Sequence, residues 1–551
     1  MTSVSALIAR TLSTHVSEVF GVMGNGNAHF LNALLEGETA FTAVRHEAAA
    51  VAAADGYYRA CGRLAAGTVT YGAGFSNTAT ALAEAAQAGI PVVLVAGDAP
   101  GSGPRPWDID QVALAAALGV STITVTAENA AECTHEAVAR ALSERTAVIL
   151  AIPYDLVEAP AAAGGADPLP RRAPDAPAPD PARIAEYAHA LRGAARPLIL
   201  AGRGAWVSGA GPALTELAAS LGALTTTTAL ARGLFADASG DLGVCGGFGQ
   251  EAAMALAARA DVVLVVGAGM NQFTLGFGSV LGPEARVLRI DDRARPHPRV
   301  DDSLIADARL SAEALLRAIR GEQRALPARW GGDAPDLESA EFRARAEGRG
   351  VLADGLLDPR SVAARLNRIL PADRVSATDG GHFIGWANTY FDVSSPDRQI
   401  MVGTAYQSIG LGFPSAVGVA RARPEATLVL HTGDGGGLMA LADLDSVIRA
   451  TRRGVIVVWN DAAYGAEVHV YGRMGLNPGP MRIGGVDFAG IARSLGARGD
   501  IIHTLEDLDA VHAWLASGQE GVYLLDCRVS PTVTAPFQEE IYRVNSAARH
   551  A

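Results

Sequence analysis

The feature that most constrains this sequence is a strand, loop, helix and strand unit at residues 427–464. It starts with the buried-strand pattern 427–431, which leads into the glycine loop 433–437 and then an apolar segment of helical character. A second strand pattern at 454–459 precedes a polar turn. This alternation is typical of parallel α/β sheets, in which the loops that follow the strands bind ligands.

A carboxylate within the glycine loop limits the kind of anion that the loop can bind. Glycines between a strand and a helix let backbone N–H groups approach a phosphate, and the helix N-terminus adds partial positive charge. Asp434 lies inside the loop and would repel a bare diphosphate. Mg²⁺ removes this conflict because it binds carboxylate and phosphate oxygens together. Asp461 follows the next strand 27 positions later, where a second oxygen ligand is expected.

Composition narrows the class of protein. The 551 residues carry a formal net charge of −13, which argues against nonspecific binding to nucleic acid or to an anionic membrane. The four cysteines are scattered without a Cys-x-x-Cys pair, which indicates free thiols and neither disulfides nor a zinc site. Because we find no signal segment and no apolar run of membrane-spanning length, we expect a cytoplasmic protein.

Helix and strand patterns alternate in three separate units. We expect domains at residues 1–158, 183–320 and 356–551, with linkers at 159–182 and 321–355. The first linker is rich in Pro, Ala, Asp and Gly, and the second is charged. The predicted fold class is α/β, with three doubly wound, mainly parallel sheets. The segment after Phe537 is expected to be peripheral.

Other candidate motifs also lie where predicted strands end. In the first unit, Glu47 opens a helix, and the loop 72–77 ends at Asn77. A lone carboxylate at a helix start could serve only to complement the helix dipole. In the third unit, residues 379–382 read Asp-Gly-Gly-His, and residues 403–414 form a second glycine-rich loop.

Together these motifs resemble those of thiamine diphosphate-dependent enzymes. The group of acetolactate synthase, pyruvate decarboxylase and benzoylformate decarboxylase is the most similar, and the acetolactate synthase large subunit looks closest. Gly433-Asp434-Gly435 with Asn460-Asp461 resembles the family's GDG…NN motif, with Asp461 replacing the second Asn. The resemblance spans nearly the whole chain, as pyrimidine-binding, central and diphosphate-binding domains.

The resemblance implies how the cofactor and its metal are held. Mg²⁺ would be bound by the side chains of Asp434 and Asp461 and by the carbonyl of Ala463. The implied cofactor-binding residues are Asn77, Gly381, His382, Gln407, Ile409, Asp434, Gly435, Gly436 and Tyr464. Ile409 would wedge between the two cofactor rings, although ordinary packing is an alternative, and the Gln407 carbonyl would accept a hydrogen bond from the 4′-amino group.

The resemblance also implies a reaction. Glu47 would bind N1′ of the pyrimidine and favour loss of the C2 proton. The cofactor would then attack a 2-oxo acid and release CO₂. The resulting enamine would be protonated to an aldehyde or would attack a second carbonyl compound. In this family Glu47 and Asp434 come from different subunits, so a homodimer or a dimer of dimers is implied.

The residues that would contact substrate are less constrained by the motifs. Glu467, three positions after Tyr464, could be catalytic, as a Glu at this offset is in the decarboxylases, or a solvated helix acid. Residues 106–113 resemble a synthase segment that would place Trp107 and Gln111 in the substrate pocket. Trp107 stands where acetolactate synthases have a functional Gln, which argues against plain acetolactate synthesis.

Four further hypotheses remain open beside the interpretation as a decarboxylase/carboligase, one on a cofactor and three on the class of protein. The central unit could hold FAD, as in some relatives, at its Gly-x-Gly pairs 202–204 and 267–269, although such pairs are a weak signal. The enzyme could be a simple 2-oxo acid decarboxylase. It could be a catalytically silent cofactor-binding subunit, against which the retained Glu47 argues. A nucleotide-binding dehydrogenase would leave Asp434 unexplained.

Overall fold

Three sheets of parallel strands organise the chain. The computed structural model describes residues 2–162, 176–235, 239–321 and 328–550. Within these ranges each sheet has six strands, and every ladder between named strands is parallel. Helices cover both faces of each sheet, so the central strands are buried along their length and mostly apolar. The predicted fold class is confirmed.

The first domain places its longest buried strands at the centre of the sheet. The strands are β1 (Glu18–Gly21), β2 (Ala40–Ala43), β3 (Ala66–Val69), β4 (Val92–Asp98), β5 (Ser121–Thr124) and β6 (Ala147–Pro153). Their spatial order is β2-β1-β3-β4-β6-β5. The helices are α1 (Val4–Ser13), α2 (Ala28–Leu35), α3 (Glu47–Cys61), α4 (Ala73–Ser76), α5 (Ala79–Ala88), α6 (Gln111–Ala117) and α7 (Ala130–Glu144).

The central domain has a different strand order. Its strands are β7 (Pro197–Ala201), β8 (Leu224–Thr227), β9 (Asp241–Val244), β10 (Val262–Val266), β11 (Arg286–Asp291) and β12 (Asp302–Ile305). The order β9-β8-β7-β10-β11-β12 is that of classic dinucleotide-binding sheets. The helices are α8 (Pro181–Arg192), α9 (Arg203–Val207), α10 (Gly211–Leu221), α11 (Glu251–Ala257), α12 (Ala308–Arg320) and α13 (Ala340–Arg343).

The third domain repeats the strand order of the first. Its strands are β13 (Arg374–Thr378), β14 (Gln399–Met401), β15 (Thr427–Gly433), β16 (Arg453–Asn460), β17 (Arg498–Ile502) and β18 (Gly521–Arg528), in the order β14-β13-β15-β16-β18-β17. The helices are α14 (Pro359–Ile369), α15 (Ile384–Tyr390), α16 (Gly412–Ala422), α17 (Asp434–Met439), α18 (Ala442–Ala450), α19 (Gly465–Glu467), α20 (Phe488–Ser494), α21 (Leu508–Ala516) and α22 (Pro536–His550). A π-helical turn, Val468–Gly472, continues α19.

Parts of the two expected linkers pack against the domains. Residues 163–175 and 322–327 lie outside the described residues. In the second linker, Trp330 and Phe342 are buried in the central core, and the Trp330 indole N–H donates to the carbonyl of Pro197 at 3.0 Å. This part of the linker therefore contributes to the central domain.

The expectation that the segment after Phe537 is peripheral is wrong. Near the start of helix α22 the Phe537 ring packs against Phe248 and Phe273 of the central domain, with centroids 5.5 and 5.9 Å apart. After it, Gln538 is buried and Ile541 packs against the same core. These aromatic contacts fix the start of α22 against the central domain. The contact pairs residues almost 300 positions apart, so local sequence could not indicate it.

Helices α3 and α16 join the first and third domains in antiparallel packing. A β-carbon at Gly418 would lie 1.8 Å from the carbonyl oxygen of Ala53, and one at Gly56 would lie 2.5 Å from that of Ser415. This register sets Glu47, at the start of α3, beside the end of α16. Glu47 is therefore about 12 residues, or about 18 Å, along the helix pair from the start of α16.

Two further findings concern the cysteines and the lengths of the helices. All four cysteines are free thiols. Among the helices of the described ranges, none combines the length and the apolar character needed to cross a membrane.

Candidate functional site

The candidate site lies at the carboxyl ends of four neighbouring strands of the third sheet. The loops after β14, β13, β15 and β16 carry residues 403–409, 379–382, 433–437 and 461–464 respectively. The order in which the strands are added to the sheet reverses between β13 and β15. Ligands of doubly wound sheets bind at such a switch point. The topology thus brings together motifs that are far apart in the sequence.

A buried and a half-buried carboxylate, Asp434 and Asp461, face each other between the β15 and β16 loops. Asp434 is 2% exposed, and its Oδ2 atom has no hydrogen-bond donor among the described residues. Burial raises the pKa of Asp434, and burial together with the Asp434 charge raises the pKa of Asp461. Two adjacent acids with an unsatisfied oxygen are the donor set that a divalent cation would stabilise.

This pair fits Mg²⁺ as part of a larger ligand set. No cluster of three or more His, Cys, Asp or Glu in the described ranges is arranged to hold a metal. A backbone carbonyl and phosphate oxygens would have to complete the coordination, which matches the preference of Mg²⁺ for few carboxylates plus phosphate. Asn460, the other polar residue of the turn, is occupied because its amide donates to Asp526 at 2.9 Å.

At two positions of the β15 loop, neighbouring side chains leave no room for a β-carbon. A β-carbon at Gly435 would lie 2.6 Å from the Tyr464 ring, and one at Gly436 would lie 2.6 Å from Asp379 Oδ2. Gly381 has a φ of +140°, in the region that favours glycine. The predicted residues Gly381, Gly435, Gly436 and Tyr464 line one small cavity of about 70 Å³ with Asp434 and Asp461.

Asp379 holds the loops of this site together, a role that the motif alone did not reveal. It is 1% exposed and accepts hydrogen bonds from the backbone N–H groups of Gly380 at 2.8 Å and Gly410 at 3.0 Å. Burial raises its pKa to about 6 against the opposing effect of these donors. Unlike Asp434 Oδ2, the Asp379 carboxylate has hydrogen-bond donors within the protein.

His382 is held as a neutral imidazole. Its Nε2 accepts a hydrogen bond from the N–H of Ala535 at 2.8 Å, and its ring lies 4.3 Å from that of His469. Burial, with the nearby His469, lowers the pKa of His382 to about 3. Its ring therefore shapes the loop without adding charge.

The β14 loop presents the two residues predicted to contact the cofactor rings. Gln407 has a φ of +60°, which turns the backbone sharply before Ile409. Ile409 is half-buried and lines a cavity of about 1080 Å³. Glu467 lines the same cavity with an exposed side chain at the end of α19. The π-helical turn begins at the next residue, a geometry often found at functional sites.

Residues of all three domains line the large cavity. Arg203 and Phe273 of the central domain and Gln538 of α22 are part of its lining. The central glycines face one another there, because a β-carbon at Gly202 would lie 2.4 Å from the carbonyl oxygen of Gly267. Contact between the two loops thus explains the small size of Gly202, Gly204 and Gly267, whereas a β-carbon at Gly269 would meet nothing within 4 Å.

Glu47 and Asn77 form a separate pair in the first domain. The Asn77 amide donates to Glu47 Oε2 at 2.9 Å; Glu47 follows β2 and Asn77 follows β3, two strands that are separated in the sheet by β1. Neither Glu47 nor Asn77 is among the described residues that line the two cavities. Within one chain, the α3–α16 register keeps Glu47 away from Ile409.

Trp107 and Gln111 have different surroundings. Trp107 is 62% exposed, and the guanidinium of Arg105 lies 5.6 Å from its ring centroid. Gln111 is buried; its Oε1 accepts from the Gly72 N–H at 2.6 Å and its Nε2 donates to the Gly97 carbonyl at 2.9 Å. Gln111 therefore ties the start of the loop that leads to Asn77 to the end of β4.

Comparison with known proteins matches this architecture domain by domain. The chain matches the family descriptions "Thiamine pyrophosphate enzyme, N-terminal TPP binding domain" at residues 2–114, "central domain" at 184–315 and "C-terminal TPP binding domain" at 379–527. These three matches fall on the three sheets.

Curated relatives and solved structures extend over nearly the full chain. It is 28% identical to a probable 2-ketoarginine decarboxylase of Pseudomonas aeruginosa, over 96% of this chain and 94% of that protein. It is 26% identical to a probable acetolactate synthase large subunit of Methanocaldococcus jannaschii, over 97% and 93%. Its fold matches a Rhodococcus jostii thiamine diphosphate-dependent 4-hydroxybenzoylformate decarboxylase with a TM-score of 0.81 at 22% identity, over 96% and 99%. The chain therefore belongs to the thiamine pyrophosphate-dependent enzyme family.

Proposed function

We propose that this protein is a thiamine diphosphate- and Mg²⁺-dependent decarboxylase/carboligase that acts on a 2-oxo acid, in the manner of acetolactate synthase. The observation that carries the proposal is the shared cavity of Ile409 and Glu467. Its volume of about 1080 Å³ leaves space for a second carbonyl compound. When bound, thiamine diphosphate supplies the nucleophilic carbon and stores the electrons released with CO₂.

The residues of the third domain bind and orient the cofactor in this proposal. Asp434 and Asp461 hold Mg²⁺ through their side chains, and Ala463 through its carbonyl. The backbone at Gly381, Gly435 and Gly436 faces the diphosphate, while Tyr464 and His382 shape that pocket. Ile409 enforces the bent cofactor shape, and the Gln407 carbonyl accepts a hydrogen bond from the amino group of the pyrimidine.

Glu47 acts in this proposal on the cofactor of a partner chain. The helix register places Glu47 about 18 Å along α3–α16 from the start of α16. A second copy can supply Glu47 where the same chain cannot, so a homodimer or a dimer of dimers is required. The hydrogen bond from Asn77 orients the Glu47 carboxylate toward the pyrimidine N1′.

A second candidate function is simple decarboxylation to an aldehyde. Glu467 favours it because its carboxylate is exposed in the cavity beside Ile409, where it could deliver a proton. In this reaction Glu467 would protonate the carbon that loses CO₂. In carboligation, the acceptor carbonyl would occupy that space, with Trp107 and Gln111 of the partner's loop near it.

Calorimetric titration of the cofactor-free protein with thiamine diphosphate, with and without Mg²⁺, tests the proposal. We expect binding that requires Mg²⁺. A panel of 2-oxo acids with CO₂ and product detection then separates the two candidates: hydroxy ketones or hydroxy acids indicate carboligation, and aldehydes indicate decarboxylation. Absence of cofactor binding would favour a catalytically silent subunit.

An absorbance spectrum of the purified protein tests the remaining question of flavin. Because loop contact explains three of these four central glycines, we expect no flavin band. A flavin spectrum that survives gel filtration would contradict this expectation.

A further inference from the structure

A buried carboxylate of the first domain anchors the loop that precedes Ile409. Glu84, on α5, is completely buried. Its Oε2 atom accepts hydrogen bonds from the backbone N–H groups of Ala405 at 2.9 Å and Tyr406 at 2.7 Å. These contacts join residues more than 300 positions apart. The loop of the third domain is thus held by a charge from the first.

Arg59 on α3 holds Glu84 in place. Its Nη2 donates to Glu84 Oε1 at 3.1 Å and to Asp55 Oδ2 at 3.2 Å, and its Nη1 donates to the carbonyl of Met401 at 3.0 Å. The three charged side chains are at most 5% exposed. Because an unpaired buried charge is costly, this network strongly favours one arrangement.

The anchor lies immediately before the residues that would bend the cofactor. After Ala405 and Tyr406, Gln407 takes its positive φ, and Ile409 follows two positions later. On the other side of Ile409, the N–H of Gly410 is bound by Asp379 at 3.0 Å. Ile409 is therefore held between two buried carboxylates, one from each domain.

We propose that Glu84 is a positioning residue for the reaction, which sets the Gln407 carbonyl and the Ile409 side chain in the orientation that the bent cofactor requires. This inference rests on the proposed function. It assigns the first domain two tasks: Glu47 serves the partner's cofactor, whereas Glu84 shapes the pocket of its own chain. Glu84 touches neither cofactor nor substrate and acts only through the loop.

Glu84→Gln tests the proposal because an amide cannot accept hydrogen bonds both from Arg59 and from the loop N–H groups. One end of Glu84 faces the loop N–H groups and the other faces Arg59, so the NH₂ group of glutamine must face a donor. In the cofactor-free protein, we expect faster hydrogen–deuterium exchange at the amides of Ala405 and Tyr406. In the cofactor-saturated protein, we expect the C2 proton to exchange about ten- to a hundredfold more slowly.

Cofactor affinity provides a second readout. Mg²⁺ and diphosphate would be bound by Asp434 and its neighbours, which Glu84 does not contact, so we expect the dissociation constant to change by less than about threefold. Glu84→Asp keeps the charge but is too short to reach both Arg59 and the loop. We expect Glu84→Asp to change the amide exchange and the C2 exchange in the same direction as Glu84→Gln does. It replaces Glu84→Gln in the test if that variant does not fold.

Glu18→Gln is the matched control. Glu18 is also a buried glutamate of the first domain, and it accepts a hydrogen bond from Arg421 at the far end of α16 at 3.0 Å. We expect this variant to leave the exchange of Ala405, Tyr406 and C2 unchanged.

Two results would overturn the role of Glu84. One is wild-type C2 exchange in saturated Glu84→Gln, and the other is an equal loss in Glu18→Gln. If the wild-type protein bound no thiamine diphosphate at all, the proposed function would fail first, and the positioning role would fail with it.

Discussion

Buried carboxylates near the site differ in what satisfies them, and this difference separates ligand-binding from scaffold residues. Asp379 accepts N–H groups from two loops, whereas Asp434 Oδ2 has no donor among the described residues. An unsatisfied buried oxygen costs stability, so a protein keeps one where a ligand binds. The spacing of Asp434 and Asp461 was visible in the sequence because both end strands of one α/β unit. The partners of Asp379 and Glu84 were not, because they belong to distant loops.

Replacement of Asp434 by asparagine should separate binding from stability. Asp434→Asn removes one of two adjacent carboxylates that disfavour each other's charged form, so we expect Mg²⁺-dependent binding of thiamine diphosphate to weaken at least about a hundredfold while the cofactor-free protein unfolds at an equal or higher temperature. Calorimetric titration and thermal unfolding measure both effects.

Asp379→Asn is the control for that experiment. It removes an acceptor that the protein itself uses, so we expect the free energy of unfolding to fall by about 1–3 kcal/mol. Undiminished Mg²⁺-dependent affinity in Asp434→Asn would refute the metal assignment.

Glu47 should affect turnover and not cofactor binding. For Glu47→Gln, we expect the affinity for thiamine diphosphate to stay within about threefold of wild type and kcat to fall by at least about a hundredfold, because the amide cannot support proton transfer at the pyrimidine. Steady-state kinetics with the best 2-oxo acid would measure this. Glu38→Gln, at an exposed glutamate before β2, is the matched control. Wild-type kcat in Glu47→Gln would remove Glu47 from the mechanism.

At the scale of elements, the helix pair α3–α16 determines where the functional loops point. Both helices come close enough that glycine is required at the crossing. Sequence patterns located α3 and the strand ends well because periodicity and glycine loops are local signals. They could not show that α22 lines the cavity, since its contact with Phe248 and Phe273 depends on tertiary packing.

A methyl group at the helix crossing should force the first and third domains apart. The β-carbon of Gly418→Ala would lie 1.8 Å from the Ala53 carbonyl oxygen, so we expect a loss of at least about 2 kcal/mol in the free energy of unfolding. Gly484→Ala is the control, because that position has open space and should change stability by less than about 1 kcal/mol. Denaturant titration compares the two. Equal stability of both variants would contradict the tight packing of α3 on α16.

At the scale of the whole molecule, the first and third domains have sheets of the same strand order, and in the proposed function they contribute different halves of a site. In each domain the candidate residues follow strands of one half of the order 2-1-3-4-6-5, after β2, β3 and β4 in the first and after β14, β13, β15 and β16 in the third. The sequence predicted three similar units because each alternates helices and strands. It could not predict that the central sheet has another strand order, since strand order depends on long-range pairing.

Mixing two inactive variants should restore activity if sites form between chains. A dimer of one Glu47→Gln chain and one Asp434→Ala chain has one site with both residues intact and one site with neither. After subunits are exchanged in equal amounts, half the dimers are mixed, so we expect about a quarter of wild-type activity. Activity assays before and after exchange measure this. If activity did not rise although mass spectrometry showed mixed dimers, each site would lie within one chain.

If the proposed intersubunit site is correct, the antiparallel packing of α3 on α16 ties catalytic output to the amount of chain that a cell makes. In that proposal a newly synthesised chain carries two half-sites at opposite ends of the helix pair, and it becomes active only after it binds a second copy. Where dimers are scarce, their number rises with the square of the chain concentration. Halving synthesis would then remove about three-quarters of the working enzyme, so low expression would lower the flux more than in proportion.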